Sequence, residues 1–399
     1  MSEHAQAPSE PKAEIFDQRD AGKLTLVLPA AGLLAIVACV IGAFVNREQF
    51  AYSWLFAFTY FFTLLAGSLF WVLVHHATDA EWSVVVRRVL ENVASLIPLL
   101  FLFLIPVLWC APILFKWWSI APGVSELLDK KRGFLNHGFF LFRSAVYFLL
   151  LTFVALKMRK NSTLQDADGH PKYTIAMRKL AFFGIPALAL SVTFGAFDWL
   201  MGLDYTWFST MWGVYIFAGA AGSAMCLLVL VVTALRNKGY LAFVTMEHYH
   251  IMGKLMLAFC VFWAYIGFDQ YMLIWYANIP EETSYFIRRN IGSWHTLSTF
   301  LVVFRFFVPF PILLQQGTKK NPKFLCFVAG WILFMQLIDI YIVVMPMLHS
   351  GGASFHILDL CALVAIGAPL AFVFLKILGK NSLYPMRDPR LVHSLKLTN

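Results

Sequence analysis

Charge is the first thing this sequence is short of. Asp, Glu, Lys and Arg make up 13% of its 399 residues, against about 25% in an ordinary soluble domain, while 60% are hydrophobic. That balance excludes a soluble globule and points to an integral membrane protein. Long polar stretches are scarce too. The largest breaks in the apolar pattern, Trp117 to His137 and Arg159 to Lys172, are too short for a core of their own, so no soluble domain is hidden between spans. Cysteine motifs are missing as well. Cys39, Cys110, Cys226, Cys260, Cys326 and Cys361 lie in or beside apolar runs, and none stands in a C-x-x-C or C-x-x-C-H spacing. Disulfides, iron–sulfur clusters and covalent haem therefore lack ligands in this chain. Residues 1 to 23 are polar and mixed in charge with no apolar core behind a basic start, which excludes a cleaved signal peptide.

What the sequence has is length of apolar run. Ten stretches stand out, at about 24 to 45, 54 to 76, 94 to 116, 138 to 157, 178 to 200, 209 to 235, 251 to 276, 293 to 315, 324 to 347 and 354 to 378. At about 1.5 Å per residue each crosses a hydrocarbon core of roughly 30 Å. Barrel strands would alternate apolar and polar residues, so these are helices. The expected fold is all-α and integral to the membrane, with ten transmembrane helices. Span 1 (24–45) and span 10 (354–378) flank two four-helix bundles, spans 2–5 (54–200) and spans 6–9 (209–347), with tails at 1–23 and 379–399. Lys and Arg number 21 on the side that holds both termini and seven on the other, which predicts that both termini are cytoplasmic. The surplus of nine positive charges thus reports orientation in a bilayer, with nothing to suggest nucleic acid.

One connection has a pattern of its own. In "HHATDAEWSVVVRRVLENV" Thr78 and Glu81 fit a capping box, and Trp82, Val86, Leu90 and Val93 share one helical face with charges opposite. This predicts an amphipathic helix over about 78–92 on the cytoplasmic surface. A similar histidine-bearing turn, "TMEHYHIMGK", follows span 6, four spans later, as two related bundles would have it.

Ionisable groups inside spans cost at least a few kcal/mol and face a bundle interior or a wet cavity. Near the outer ends lie Asp198, Asp204, Asp269, Gln270, His295, Gln336, Asp339, His349, His356 and Asp359. Near the inner ends lie His75, His76, Asp79, Glu81, Glu247, His248, His250 and Lys254, with Arg305 between the two groups. Gln336 and Asp339 are i,i+3, as are His356 and Asp359, and His250 and Lys254 are i,i+4, so each pair shares a face. Two such groups separated by an arginine suit two proton half-channels, because carboxylates and histidines titrate near working pH after modest shifts. The plainer readings are that Asp269 locks helix packing, that Arg305 is the counter-ion of Asp269 or Asp339, and that His75 and His76 are solvated at an interface. Asp204, Glu281 and Glu282 read as solvated loop groups or as contacts to a partner. Trp109, Trp117, Trp199, Trp207 and Trp275 read as an interfacial belt. No span carries a histidine near each end, as a stacked pair of haems would need.

"FDWLMGLDYTWFSTMWGVYIFAG" (197–219), "HIMGKLMLAFCVFWAYIGFDQYMLIWYANIPEET" (250–283) and "HHATDAEWSVVVRRVLE" (75–91) carry a likeness. Over nearly its whole length the chain resembles the second quinone-binding membrane protein of bacterial alternative complex III. That complex is a quinol to cytochrome c (or oxidase) oxidoreductase, and its membrane proteins are related to the NrfD and polysulfide-reductase membrane family. The resemblance implies the two-bundle fold, residence in the bacterial inner membrane, and no redox cofactor bound directly. It implies as partners an iron–sulfur protein, multihaem cytochromes c and a sister membrane protein of the same fold, with a haem-copper oxidase as a further acceptor. Haem c and iron–sulfur clusters would belong to those partners. Carried onto this chain, it implies a proton route through His75, His76, Asp79, Glu81, His250 and Lys254 on the cytoplasmic side. Arg305 would stand at the centre, with Asp198, Asp269, Asp339, His295, His356 and Asp359 in the outer half. If quinol or menaquinol binds, His295, Asp269 and Tyr271 are the groups suited to take its protons. Two other readings compete: a proton-coupled secondary transporter, and the quinol-oxidising component itself.

Overall fold

The structure is a computed structural model that describes residues 14–398. Residues 1–13 of the expected N-terminal tail, and Asn399, lie outside the described residues. Among the described residues there is no strand. Among the same residues ten helices are long and apolar enough to cross a membrane: α1 (Leu24–Val45), α2 (Arg47–Ala77), α3 (Val84–Trp109), α4 (His137–Asp168), α5 (Lys172–Leu203), α6 (Trp212–Asn237), α7 (Met246–Ala277), α8 (Ser293–Leu314), α9 (Pro322–Met347) and α10 (Ile357–Leu378).

Their limits follow from local chemistry. Asparagine side chains cap three of them, Asn46 accepting from the Gln49 amide at 3.1 Å, Asn136 from Phe139 at 2.9 Å and Asn321 from Phe324 at 3.3 Å. Helix α4 ends on Gly169 in the left-handed conformation, φ 68°, where a glycine carries no Cβ penalty. In α8 a π-helical turn occupies Val303–Phe307. Pro309 has no N–H to offer the Arg305 carbonyl one turn back. The Cys260 thiol on α7 donates to that carbonyl instead, at 3.4 Å.

Helices α2 and α6 are the most deeply buried spans and pack on each other. They cross so closely that a Cβ on Gly67 would lie 2.1 Å from the Ala220 carbonyl oxygen, and the Trp71 indole donates to the Ala221 carbonyl at 2.8 Å. Around this pair α2 touches α3, α5 and α10, α6 touches α5, α7 and α9, α4 packs on α3 and α5, and α8 on α7 and α9. Helix α1 lies against α10, with Leu26, Leu33, Leu34 and Phe44 exposed. The two described ends meet on one face, where the Leu383 amide donates to the Glu14 carbonyl at 2.7 Å.

Two expectations need correction. The helix expected at about 78–92 begins at Val84, and the Thr78 hydroxyl bonds the Val74 carbonyl rather than capping it. An amphipathic helix does lie here, over Val84–Ala94 and set off from Ile97–Trp109 by a turn at Ser95–Leu96, but every one of its residues is buried, so its charged face is covered as fully as its apolar one. The tryptophan belt divides as well. Trp109 and Trp275 are exposed, but Trp117, Trp199 and Trp207 are core residues at 2% exposure each. Trp199 packs edge-on against Phe58 and Phe62 and donates its indole N–H to Ser144.

Candidate functional site

Three buried polar centres organise the spans. The central one joins α8 to α9. Arg305 Nη1 donates to Asp339 Oδ2 at 2.6 Å, and Nη2 donates to Gln336 Oε1. Asp339 also accepts from the Trp263 indole at 3.1 Å and from the Tyr215 hydroxyl. The guanidinium stacks over the Trp263 ring, 4.1 Å from its centroid. The i,i+3 spacing of Gln336 and Asp339 thus delivers both side chains to one arginine. Gly219 leaves room for them, since a Cβ there would stand 2.7 Å from Gln336 Oε1. Beside Arg305 is a cavity of about 10 Å³, space for a single water, bordered by Ser223, Cys226 and Cys260. The buried Ser223 hydroxyl has no hydrogen-bond partner among the described residues.

The second centre joins α4 to α5. Arg143 holds Asp198 in a bidentate pair, Nε to Oδ2 at 2.9 Å and Nη2 to Oδ1 at 2.6 Å, and the Tyr147 hydroxyl adds a bond at 2.8 Å. Asp198 is fully buried. Sequence reading leaves Arg143 aside at the edge of span 4. Its signal is the aspartate on the next span.

The third centre lies at the end of the molecule that holds the two described ends. Arg87 donates to Glu91 at 3.0 Å and to Asp388 at 2.8 Å, and Arg390 grips Asp388 through Nε at 3.0 Å and Nη2 at 2.8 Å. Arg88 meets Asp166 at 2.9 Å and Ser162 at 3.1 Å. Burial works to raise the Asp388 carboxyl, but Arg87 and Arg390 outweigh it and hold it well below the usual carboxylate range. In the sequence, Arg87 and Arg88 serve only to orient the chain. The Asp388 partner of Arg87 is 301 residues away, beyond the reach of any local pattern.

His75 and His76 abut this cluster. Both are buried rather than solvated, at 2% and 1% exposure, and none of their four ring nitrogens has a hydrogen-bond partner among the described residues. The His75 ring lies between Trp71 and Trp82. Asp79, at φ 51°, pairs with Arg178 and with Arg390 at 3.2 Å, and Glu81 is half-exposed 3.8 Å from His393. His250 lies 3.8 Å from Glu247, while Lys254 is exposed.

The outer candidates do not converge. Asp269 is half-buried and forms no hydrogen bond or ion pair with any described residue, so it is not the counter-ion of Arg305. Its neighbour Gln270 accepts from Ser209 at 2.7 Å. His295 bonds Asn290 at 2.5 Å and Tyr271 stacks edge-on against Phe286, so the groups proposed for quinol are not joined to one another. His356 caps α10, and Asp359 completes that cap while accepting from Gln49 at 3.1 Å and Ser53 at 2.5 Å. Asp204 is not a solvated loop group. Although burial opposes it, bonds from Thr206 and the charge of Arg288, at 2.5 Å, hold its carboxyl below the usual range. Near it lies a cavity of about 420 Å³ walled by Phe134, Phe197, Tyr205, Trp207 and Phe208, with Lys130 and Lys131 as its charged groups. Among the described residues no three His, Cys, Asp or Glu converge as a metal-ligand set.

The fold and these centres define a multi-pass, all-helical membrane protein with buried arginine–carboxylate pairs. No family model matches the chain, and no curated protein sequence matches it.

Proposed function

We propose that this chain is a proton-handling membrane component of a quinol-oxidising electron-transfer complex, similar to the second quinone-binding membrane protein of alternative complex III. The reading rests above all on the Arg305–Asp339 centre. A charge at this depth is retained only where it has work or an inescapable partner. This one sits beside a water-sized cavity with an unbonded hydroxyl at Ser223. His75 and His76, buried without partners among the described residues, suit an inner relay, and the unpaired Asp269 suits an outer acceptor. In this reading spans 2–5 and 6–9 are two related bundles, both termini are cytoplasmic and the membrane is the bacterial inner membrane. The partners are an iron–sulfur protein, multihaem cytochromes c and the sister membrane protein. Haem c and iron–sulfur clusters reside in those partners, and quinol is oxidised there.

Two measurements test this. Purification from native membrane should bring haem absorbance with the chain, whereas a free-standing transporter would emerge alone. The purified complex in liposomes should then release and take up protons during quinol oxidation. Asp269→Asn should alter that stoichiometry with electron transfer intact, and unchanged stoichiometry would remove Asp269 from the path.

A further inference from the structure

Where α6 ends and α9 begins, on the face that holds the two described ends, a cavity of about 310 Å³ opens between the two helices. Arg236 and Lys323 line it, with Asn237, Asn321, Thr233 and Tyr249. The neighbouring cations are already occupied. Lys320 pairs with Glu247 at 2.6 Å, and Lys319 donates to the Leu313 and Leu314 carbonyls at 2.6 and 3.1 Å. Arg236 and Lys323 differ. Neither side chain has an ion pair or hydrogen bond among the described residues, and the Arg236 guanidinium rests only against the Tyr249 ring, 5.5 Å from its centroid. Two unpaired cations therefore face one cavity with no carboxylate among its lining groups. Asn321 spends its carbonyl on the Phe324 amide, which leaves its NH₂ as a donor.

What lies beside the cavity decides the class of ligand. On α9 just past Lys323, Phe324 and Phe327 are 41% and 64% exposed. Cations at a helix end with exposed aromatic rings alongside them make a place for a charged headgroup whose acyl chains run along the helix. Basic pockets between spans bind phosphate headgroups in this way. We infer that the Arg236–Lys323 cavity binds the phosphodiester of an anionic phospholipid, with the chains lying over Phe324 and Phe327. The assignment is independent of any proton-handling role, and it fails or stands separately.

The test is native mass spectrometry of the full-length protein in a neutral maltoside, titrated with phosphatidylglycerol and with phosphatidylcholine. The expected result is a preference for phosphatidylglycerol of about tenfold or more. Arg236→Gln with Lys323→Gln should abolish it. Arg236→Lys with Lys323→Arg should keep it, as should Lys157→Gln with Lys160→Gln, which removes two exposed charges elsewhere. Equal binding of the two lipids by the wild type overturns the site without recourse to any variant. A preference that survives the Gln pair overturns it too. If inorganic phosphate displaces phosphatidylglycerol and protects the protein from heat to the same extent, the site serves a soluble phosphate and the lipid assignment falls.

Discussion

Arg305 and Asp339 close on each other at 2.6 Å between α8 and α9, and Arg143 and Asp198 close at the same distance between α4 and α5. In both cases the arginine is on one span and the aspartate on the next, and the two pairs are four spans apart. A tyrosine hydroxyl completes each carboxylate, Tyr215 in one and Tyr147 in the other. The same device thus satisfies a buried charge at two places four spans apart.

Breaking one partner of the central pair should be far worse than removing both. Arg305→Ala strands a buried carboxylate, and the expected loss is about 3–5 kcal/mol. Arg305→Ala with Asp339→Ala should recover part of it. Thermal unfolding of the two single variants and the double variant in detergent gives the coupling energy.

Gly67→Ala should destabilise by about 1–3 kcal/mol, because the new methyl meets the Ala220 carbonyl, a backbone atom that cannot swing aside. A lowered unfolding midpoint checks this. An unchanged one would mean that α2 and α6 separate without cost.

The Asp388 carboxyl is held below its ordinary value, so its contribution to stability is complete above the unfolded pKa of about 3.9 and is lost only as pH falls through the lower folded value. Asp388→Asn should therefore lower stability by a constant amount between about pH 8 and about pH 5, a window that lies wholly above that unfolded value. The gap should narrow only in stronger acid. Limited proteolysis of the C-terminal segment across pH follows it directly.

His75→Phe should fold as well as the wild type, since the ring nitrogens it removes bond nothing among the described residues and a buried donor without a partner is costly. Under the proton-handling proposal the same variant slows proton uptake from the inner side. Size-exclusion profiles and uptake kinetics in liposomes separate the two effects.

The spans are legible in the sequence because run length and hydropathy are local properties, and α1 keeps the expected bounds of 24–45. The face shared by Gln336 and Asp339 is legible from spacing for the same reason. Asp388 is not, because a polar tail residue carries no mark of the arginine it will meet across the whole chain. His75 and His76 read as solvated because the α3 segment that covers them is amphipathic in sequence. Its charged face looks made for water until Asp166 and Asp388 are set against it.

The burial of Arg87 and Arg88 also has a bearing on biosynthesis. Of the three acids that pair with these two cations, only Glu91 is made with α3. Asp166 follows with the end of α4, and Asp388 only after α10. Arg87 and Arg88 therefore reach their full set of carboxylates only once all ten spans have been made. A chain cut between Gly379 and Asp388 would keep all ten spans and leave Arg87 without its second carboxylate.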